Sequence, residues 1–423
     1  MSLDQLKNDV AAAVDGMRGE LLALSHAIHQ EPELALEEFK AAKRLCDAVA
    51  SHDLPVQRES FGVKTAYVSE FGKASGPVIA ILSEYDALPG VGHACGHNII
   101  ATSGFGAAMA LAKLGARLPG RVRYLGTPAE ERFGGKEIMA RAGAFDGVDA
   151  AMMIHPANID LVAMPCIAVS EVDVTYFGKA AHASAMPYRG LNALDAVVSA
   201  YQSIAQLRQH IRQTERIHGI ITEGGLAANI VPERAGCRFY VRARDMKDLA
   251  ALKKRVQACF EAAALSTGCK LEMRWGGADY LDLKSNGPIA AAFAKNFEAL
   301  GRELTPLSTI PPGFAGSTDM GNVSHRVPSI HPMIGVAPSH VIIHNAEFAH
   351  WAASEKGDAA VIDGAKSLAQ TALDLMGEEG LMERARADFA ATAELSATAL
   401  AGLKETVPHS HPDVYAHAGC GCA

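Results

Sequence analysis

Three short strand-like runs, residues 78–82, 122–125 and 151–154, constrain this chain more than anything else in it. The first is wholly apolar and fits a strand buried on both faces, as in a parallel sheet covered by helices. Each is followed by a group that can do chemistry: Asp86 after the first, Glu130 and Glu131 after the second, His155 directly after the third. Open α/β sheets place their sites beyond the carboxyl ends of their strands. These sequence-distant side chains are therefore expected to converge on one rim.

The first of these sites lies in YDALPGVGHACGHNII, residues 85–100, where Cys95 and His97 stand two apart just ahead of a small-residue helix expected over about 98–114. A thiolate and an imidazole beside an acid suit zinc, manganese or cobalt, and a helix start favours the thiolate. Glu130 and Glu131, in the turn-rich GTPAEERFGGK, are adjacent. Outside a helix their side chains diverge, so one can bind a metal while the other faces water. Alone, a Glu-Glu pair is more often a solvated helix start, and His155 or His344 more often a core or surface histidine.

Residues 3–50 read as two helices with a break at Glu31-Pro32. From Glu171 the texture changes. Val172, Val174 and Tyr176 alternate with polar residues, and a helical stripe of Leu191, Leu194, Val198, Tyr201, Ile204, Leu207 and Ile211 follows. Strands near 219–222, 237–241 and 271–275 and a second helical stripe at 249–263 complete a βαββαβ order, that of a ferredoxin-like unit. The expected class is α/β, with a mostly parallel central sheet and an inserted ferredoxin-like domain. Its divisions are residues 1–170 and 284–385 for the main domain, 171–283 for the insert and 386–423 for a C-terminal extension. In that extension His409, His411, His417, Cys420 and Cys422 fit no structural zinc spacing, and it reads as flexible or loosely docked.

A length of 423 residues favours more than one domain. A net charge of -8 leaves no basic stripe for nucleic acid. The longest apolar stretch, 99–112, is too short to span a membrane, and the polar start MSLDQLKNDV lacks the order of a signal peptide. Eight irregularly spaced cysteines point to reduced thiols and a cytoplasmic protein.

The motifs YDALPGVGHACGHN, GTPAEE with GGK, MMIHP, GKAAHAS, ANIVPERA, GSTDMGNVS and HNAEF occur in this order over about residues 20–376. Together they resemble metallopeptidase family twenty, the family of aminoacylases, carboxypeptidase G, hippurate hydrolase and auxin-conjugate hydrolases. The nearest likeness is to its aminobenzoyl-glutamate hydrolase and β-alanyl-dipeptide hydrolase branch. The resemblance implies a zinc-peptidase-like catalytic domain and a dinuclear site of zinc or manganese, with cobalt possible. Cys95 would bridge the two ions, with His97, Glu131, His155 and His344 completing the set, Glu130 as general base and Asp86 orienting a ligand imidazole. Glu84 stands where many relatives carry a ligating histidine, a departure that matches the branch using the Cys-x-His pair instead. His182 would reach across a homodimer, built through the inserted lid domain, to stabilise an oxyanion. Asn229 and Arg242 would hold a small-molecule substrate, although Arg242 can equally be a strand residue paired with Asp245. Arg132 and Phe133 replace a commonly glycine-rich stretch and would favour an anionic, planar substrate. The implied reaction is hydrolysis of an amide C–N bond in an N-acyl amino acid, dipeptide or aminobenzoyl-amino acid. Hydrolytic release of ammonia from an aromatic amine such as a nitroanthranilate, and a non-catalytic metal-binding homologue, are the alternatives.

Overall fold

The three strand-like runs form the middle of a sheet. In a computed structural model, which describes residues 2–311 and 315–404, the chain divides into two units. The tail residues His409, His411, His417, Cys420 and Cys422 lie outside the described residues. The first unit comprises residues 2–168 and 280–398 and the second centres on Val169–Asp279. The strands of the first unit are β1 (Gln57–Arg58), β2 (Tyr67–Gly72), β3 (Val78–Ser83), β4 (Arg121–Gly126), β5 (Ala150–Met152) and β6 (His155–Ala157). The second contributes β7 (Ala168–Phe177), β8 (Arg216–Glu223), β9 (Arg234–Ala243) and β10 (Lys270–Trp275), and the first resumes with β11 (Ser329–Ile330) and β12 (Met333–Gly335).

The central sheet runs β1-β2-β4-β3-β5-β11. Its β4, β3, β5 and β11 are mutually parallel, while β2 joins β4 and β1 antiparallel. All six residues of β3 are buried, with Ile79 opposite Val122 and Leu82 opposite Leu125. His155 opens a separate parallel ladder of β6 with β12.

The helix His97–Ala112 is buried at all but its last position, as a helix apolar on every side must be. It reaches the sheet closely: a Cβ at Gly104 would lie 2.4 Å from Ser83 Oγ. Helix Glu355–Gly377, capped by Ser354 Oγ accepting from Gly357 N, packs against it, and Ser103 Oγ donates to Val361 O at 3.2 Å.

In the second unit the sheet order β10-β7-β9-β8 places the first strand of the unit beside the last and the third, the ferredoxin-like arrangement. Helices Ala193–Leu207 and Met246–Thr267 are opened by Asn192 and Asp245, whose side chains accept from the N–H groups of the first turn.

The structure corrects several sequence expectations. Residues 3–50 form three helices, Leu3–Gly16, Arg18–Gln30 and Phe39–Ser51, because the poor helix former Gly16 permits a further break at Met17. Strands β11 and β12 are separated at Pro332, which has no N–H to give a ladder. In the 193–207 helix the buried face is Ala193, Ala196, Val197, Ala200 and Ile204, whereas Leu191 and Val198 are exposed. Beyond Gly380 the chain continues as helices Leu381–Ala390 and Ala393–Lys404. No helix among the described residues is long and apolar enough to cross a membrane.

Phe105 is fully buried between the sheet and its covering helices, with its ring centroid 6.5 Å from that of Tyr124. Phe105→Ala is expected to cost about 3–5 kcal/mol of stability, read as a lower midpoint in chemical denaturation; an unchanged midpoint would contradict this packing.

Candidate metal centre

At the carboxyl end of β3 the chain leaves the sheet through Glu84, Tyr85 and Asp86, all buried. It then loops back, tied by Leu88 and Gly92 exchanging backbone hydrogen bonds, to deliver Cys95 and His97. Gly96 between them sits at φ +75°, where an added Cβ would also lie 2.9 Å from the Pro156 ring. No larger residue fits that turn without moving the strand that carries His155.

Beyond β4 lies the loop of Glu130 and Glu131, which is held from several sides. Glu38 Oε1 accepts from Ala129 N at 2.8 Å, and Asp86 Oδ2 accepts from Glu131 N at 2.9 Å. The Tyr280 hydroxyl donates to Glu130 O at 2.6 Å and accepts from Gly134 N at 3.0 Å. Ala129 and Phe133 both take positive φ, and so does His344 at +70°, conformations that persist only where surroundings impose them. His344 is anchored by its N–H donating to Ala94 O at 2.9 Å.

These elements bring Cys95, His97, Glu131, His155 and His344 together. Donor atoms of Cys95, His97 and His155 lie within 4.8 Å of one another, and so do those of Cys95, Glu131 and His344. The Cys95 sulfur is common to both groups. His97 and His155 meet edge to face with ring centroids 5.7 Å apart, and His344 Nε2 stands 3.9 Å from Glu131 Oε2.

The ring orientations favour coordination. His97 Nδ1 is 3.0 Å from Asp86 Oδ1, which turns Nε2 inward. The same carboxylate thereby orients both His97 and the backbone of Glu131. His155 Nδ1 donates to Pro156 O at 2.7 Å, again presenting Nε2. His97 Nε2, Glu131 Oε1 and Glu84 Oε2 are buried and have no hydrogen-bond partner. Leaving such atoms unpaired costs about 1–3 kcal/mol each. A thiol, imidazoles and carboxylates so arranged fit divalent cations.

The charges follow from burial and crowding. Burial opposes a charged His97, but the carboxylates of Asp86, Glu84 and Glu131 outweigh it and draw its pKa well up. His155, buried and facing His97, is depressed to about 3 and so stays neutral, the form a ligand needs. Glu130 is pushed well above the carboxylate range by burial, then by Glu84 and Glu131. For Cys95 the expected lowering by the helix start does not hold in the protein alone. Burial, followed by Glu131 and Glu130, drives its thiol well above the ordinary value, so a cation must displace its proton.

Arg132 is exposed, its guanidinium 4.8 Å from the Phe133 ring centre. His182, Asn229 and Arg242 belong to the second unit. There His182 Nδ1 accepts from the N–H of Ser184 and Ala185 at 3.4 and 3.3 Å, which leaves Nε2–H to donate outward. Asn229, exposed, accepts through its backbone oxygen from Ala183 N at 3.0 Å. Arg242 is partly buried, 5.6 Å from the Tyr240 ring centre, and Arg244 pairs with Asp245 at 3.2 Å. Lys136 and Asp319, which join Glu84 in a buried ion-pair chain, escaped sequence reading. Their signals were the lysine of GGK and the aspartate of GSTDMG.

The chain matches the model of peptidase family M20/M25/M40 over residues 80–395. It is 40% identical to the Xaa-Arg dipeptidase of Mus musculus over 402 residues, 92% of this chain and 93% of that protein. It is 29% identical to one of the polypeptides of the p-aminobenzoyl-glutamate hydrolase of Escherichia coli K12, covering 88% and 92% of the two chains. Among solved structures it is similar to a dinuclear metal binding peptidase of the M20 family from Bacillus subtilis, with TM-score 0.64 and 22% identity over 86% of this chain and 99% of that one.

Asp86→Asn removes the charge behind the imidazole and is expected to weaken divalent-ion affinity about 10–100-fold, measured by competition with a chromophoric chelator. Unchanged affinity would show that Asp86 does not orient a ligand.

Proposed function

The chain belongs to the M20/M25/M40 peptidase family, and from that premise we propose that it hydrolyses the amide C–N bond of small dipeptides and related N-acyl amino acids through a two-cation site. One observation carries this reading: the Cys95 sulfur lies within 4.8 Å of donor atoms from His97, His155, Glu131 and His344. The dipeptide preference is supported by the likeness to the mouse Xaa-Arg dipeptidase over nearly the full length of both chains. The likeness to the bacterial p-aminobenzoyl-glutamate hydrolase makes aminobenzoyl-amino acids the second class to try.

Cys95, His97, Glu131, His155 and His344 would hold the ions, whose chemistry is to acidify water and polarise the scissile carbonyl. Glu130 would then take the proton as water adds to the carbonyl carbon and pass it to the amine as the C–N bond breaks. Its raised pKa and its braced backbone suit a group that must both accept and return a proton. His182, with Nε2–H left to donate, would stabilise the oxyanion, worth about 3–4 kcal/mol, and Asn229 and Arg242 would hold the substrate. In this reading the protein works in the cytoplasm as a homodimer through the inserted unit. The six cysteines among the described residues are free, and β8, at the edge of its sheet, exposes Ile220 and Ile221. The aromatic-amine alternative rests on Arg132 and Phe133 alone, and the contact between their side chains gives it no further support.

Glu130→Gln should keep its divalent ions and lose about 10²–10⁴-fold in kcat on a dipeptide; full activity would refute the assigned base. Wild-type product analysis should give an amine and a carboxylic acid, whereas ammonia and a phenol would establish the alternative. In sedimentation the active protein should run as a dimer, and an active monomer at all concentrations would exclude a His182 supplied by a second copy.

A further inference from the structure

Glu84 is fully buried, one residue past β3, and its two carboxylate oxygens have different surroundings. Oε1 is taken by the ammonium of Lys136, itself fully buried. The lysine is fixed in turn by Asp319, which accepts from Nζ at 2.6 Å through Oδ1 and from the backbone N–H at 2.9 Å through Oδ2. That ion-pair chain uses up one side of the Glu84 carboxylate. The other oxygen, Oε2, has no hydrogen-bond partner and lies 3.6 Å from His97 Nε2, which has none either.

Two donors sharing one small divalent ion at about 2.0–2.1 Å in tetrahedral geometry stand roughly 3.4 Å apart. The Glu84–His97 spacing is close to that, and close to the 3.8 Å between His97 Nε2 and Glu131 Oε1. Donor atoms of Glu84, His97 and Glu130 also lie within 4.8 Å of one another. Lys136 meets only one of the two oxygens. A buried carboxylate oxygen and a buried imidazole nitrogen that Asp86 has already turned inward thus stand at the spacing of two ligands of one ion.

We propose that Glu84 is a further metal ligand, binding through Oε2 the ion that His97 also holds, with Lys136 and Asp319 as positioning residues that fix its other oxygen. This rests on the two-cation reading above and adds a sixth side chain to it. Lys136 would also limit Glu84 to a single coordinating oxygen and offset part of the negative charge gathered by Glu84, Glu130, Glu131 and Asp86.

The test is titration of the full-length, metal-stripped protein with Zn²⁺ and Co²⁺, following stoichiometry, affinity and the near-ultraviolet thiolate-to-cobalt absorption. The wild type should take up two ions. Glu84→Gln should bind one of them at least ~10-fold more weakly while the thiolate band of the other persists. The double variant Glu84→Gln with Lys136→Gln separates ligation from charge balance and guards against a misfolded single variant, with circular dichroism checking the fold. A ligand role leaves the double variant as weak as the single one. Recovery of wild-type affinity in the double variant, or two wild-type affinities in Glu84→Gln, would overturn the proposal. A wild type that binds no ions would instead overturn the two-cation reading itself.

Discussion

The carboxylate of Asp86 is the interaction on which the site depends. One oxygen meets His97 Nδ1 and the other accepts from the backbone N–H of Glu131. A single buried side chain thus joins the loop after β3 to the loop after β4, two segments brought side by side only by the parallel pairing of those strands. Without that pairing the Cys-x-His turn and the Glu-Glu turn would have no common reference. With it, His97 Nε2 and Glu131 Oε1 stand 3.8 Å apart.

The price of this arrangement is a concentration of buried charge. Glu38, Glu84, Asp86, Glu130 and Asp319 are all buried near one rim, and burying an unpaired carboxylate is costly. The fold meets the cost in three ways. Lys136 pairs with both Glu84 and Asp319, setting one positive charge against their two carboxylates. Backbone N–H groups and Thr65 satisfy Glu38, which burial and Asp86 nonetheless raise to about 8. What is left over, centred on His97 and Glu131, is what a divalent cation would neutralise. The surrounding loops are closely braced, with the Tyr280 hydroxyl bonded to both Glu130 O and Gly134 N and Gly96 packed against Pro156.

Much of this was legible in the sequence because it depends on local rules. The apolar run 78–82 and the strand-like runs 122–125 and 151–154 gave β3, β4 and β5, and the rule that α/β sheets carry their sites beyond the carboxyl ends of strands told which ends would carry groups. The βαββαβ alternation gave the ferredoxin-like unit. What stayed hidden depends on contacts between distant segments. Nothing local marks Lys136 as buried, since a lysine after two glycines is ordinarily a solvated helix start, and its partners lie 52 and 183 residues away. Glu38 and Tyr280 likewise act through atoms 91 and 150 residues distant. Cys95 shows the reverse error. Its place before a helix is a local cue for a thiolate, and the carboxylates packed around it overrule that cue.

X-ray absorption at the metal edge of the purified, metal-loaded protein tests the central claim most directly, because it counts sulfur neighbours without reference to activity. A site built on Cys95 predicts one sulfur at about 2.3 Å together with nitrogen and oxygen neighbours, and loss of that sulfur shell in Cys95→Ser. A coordination shell of nitrogen and oxygen alone in the wild-type protein would contradict it.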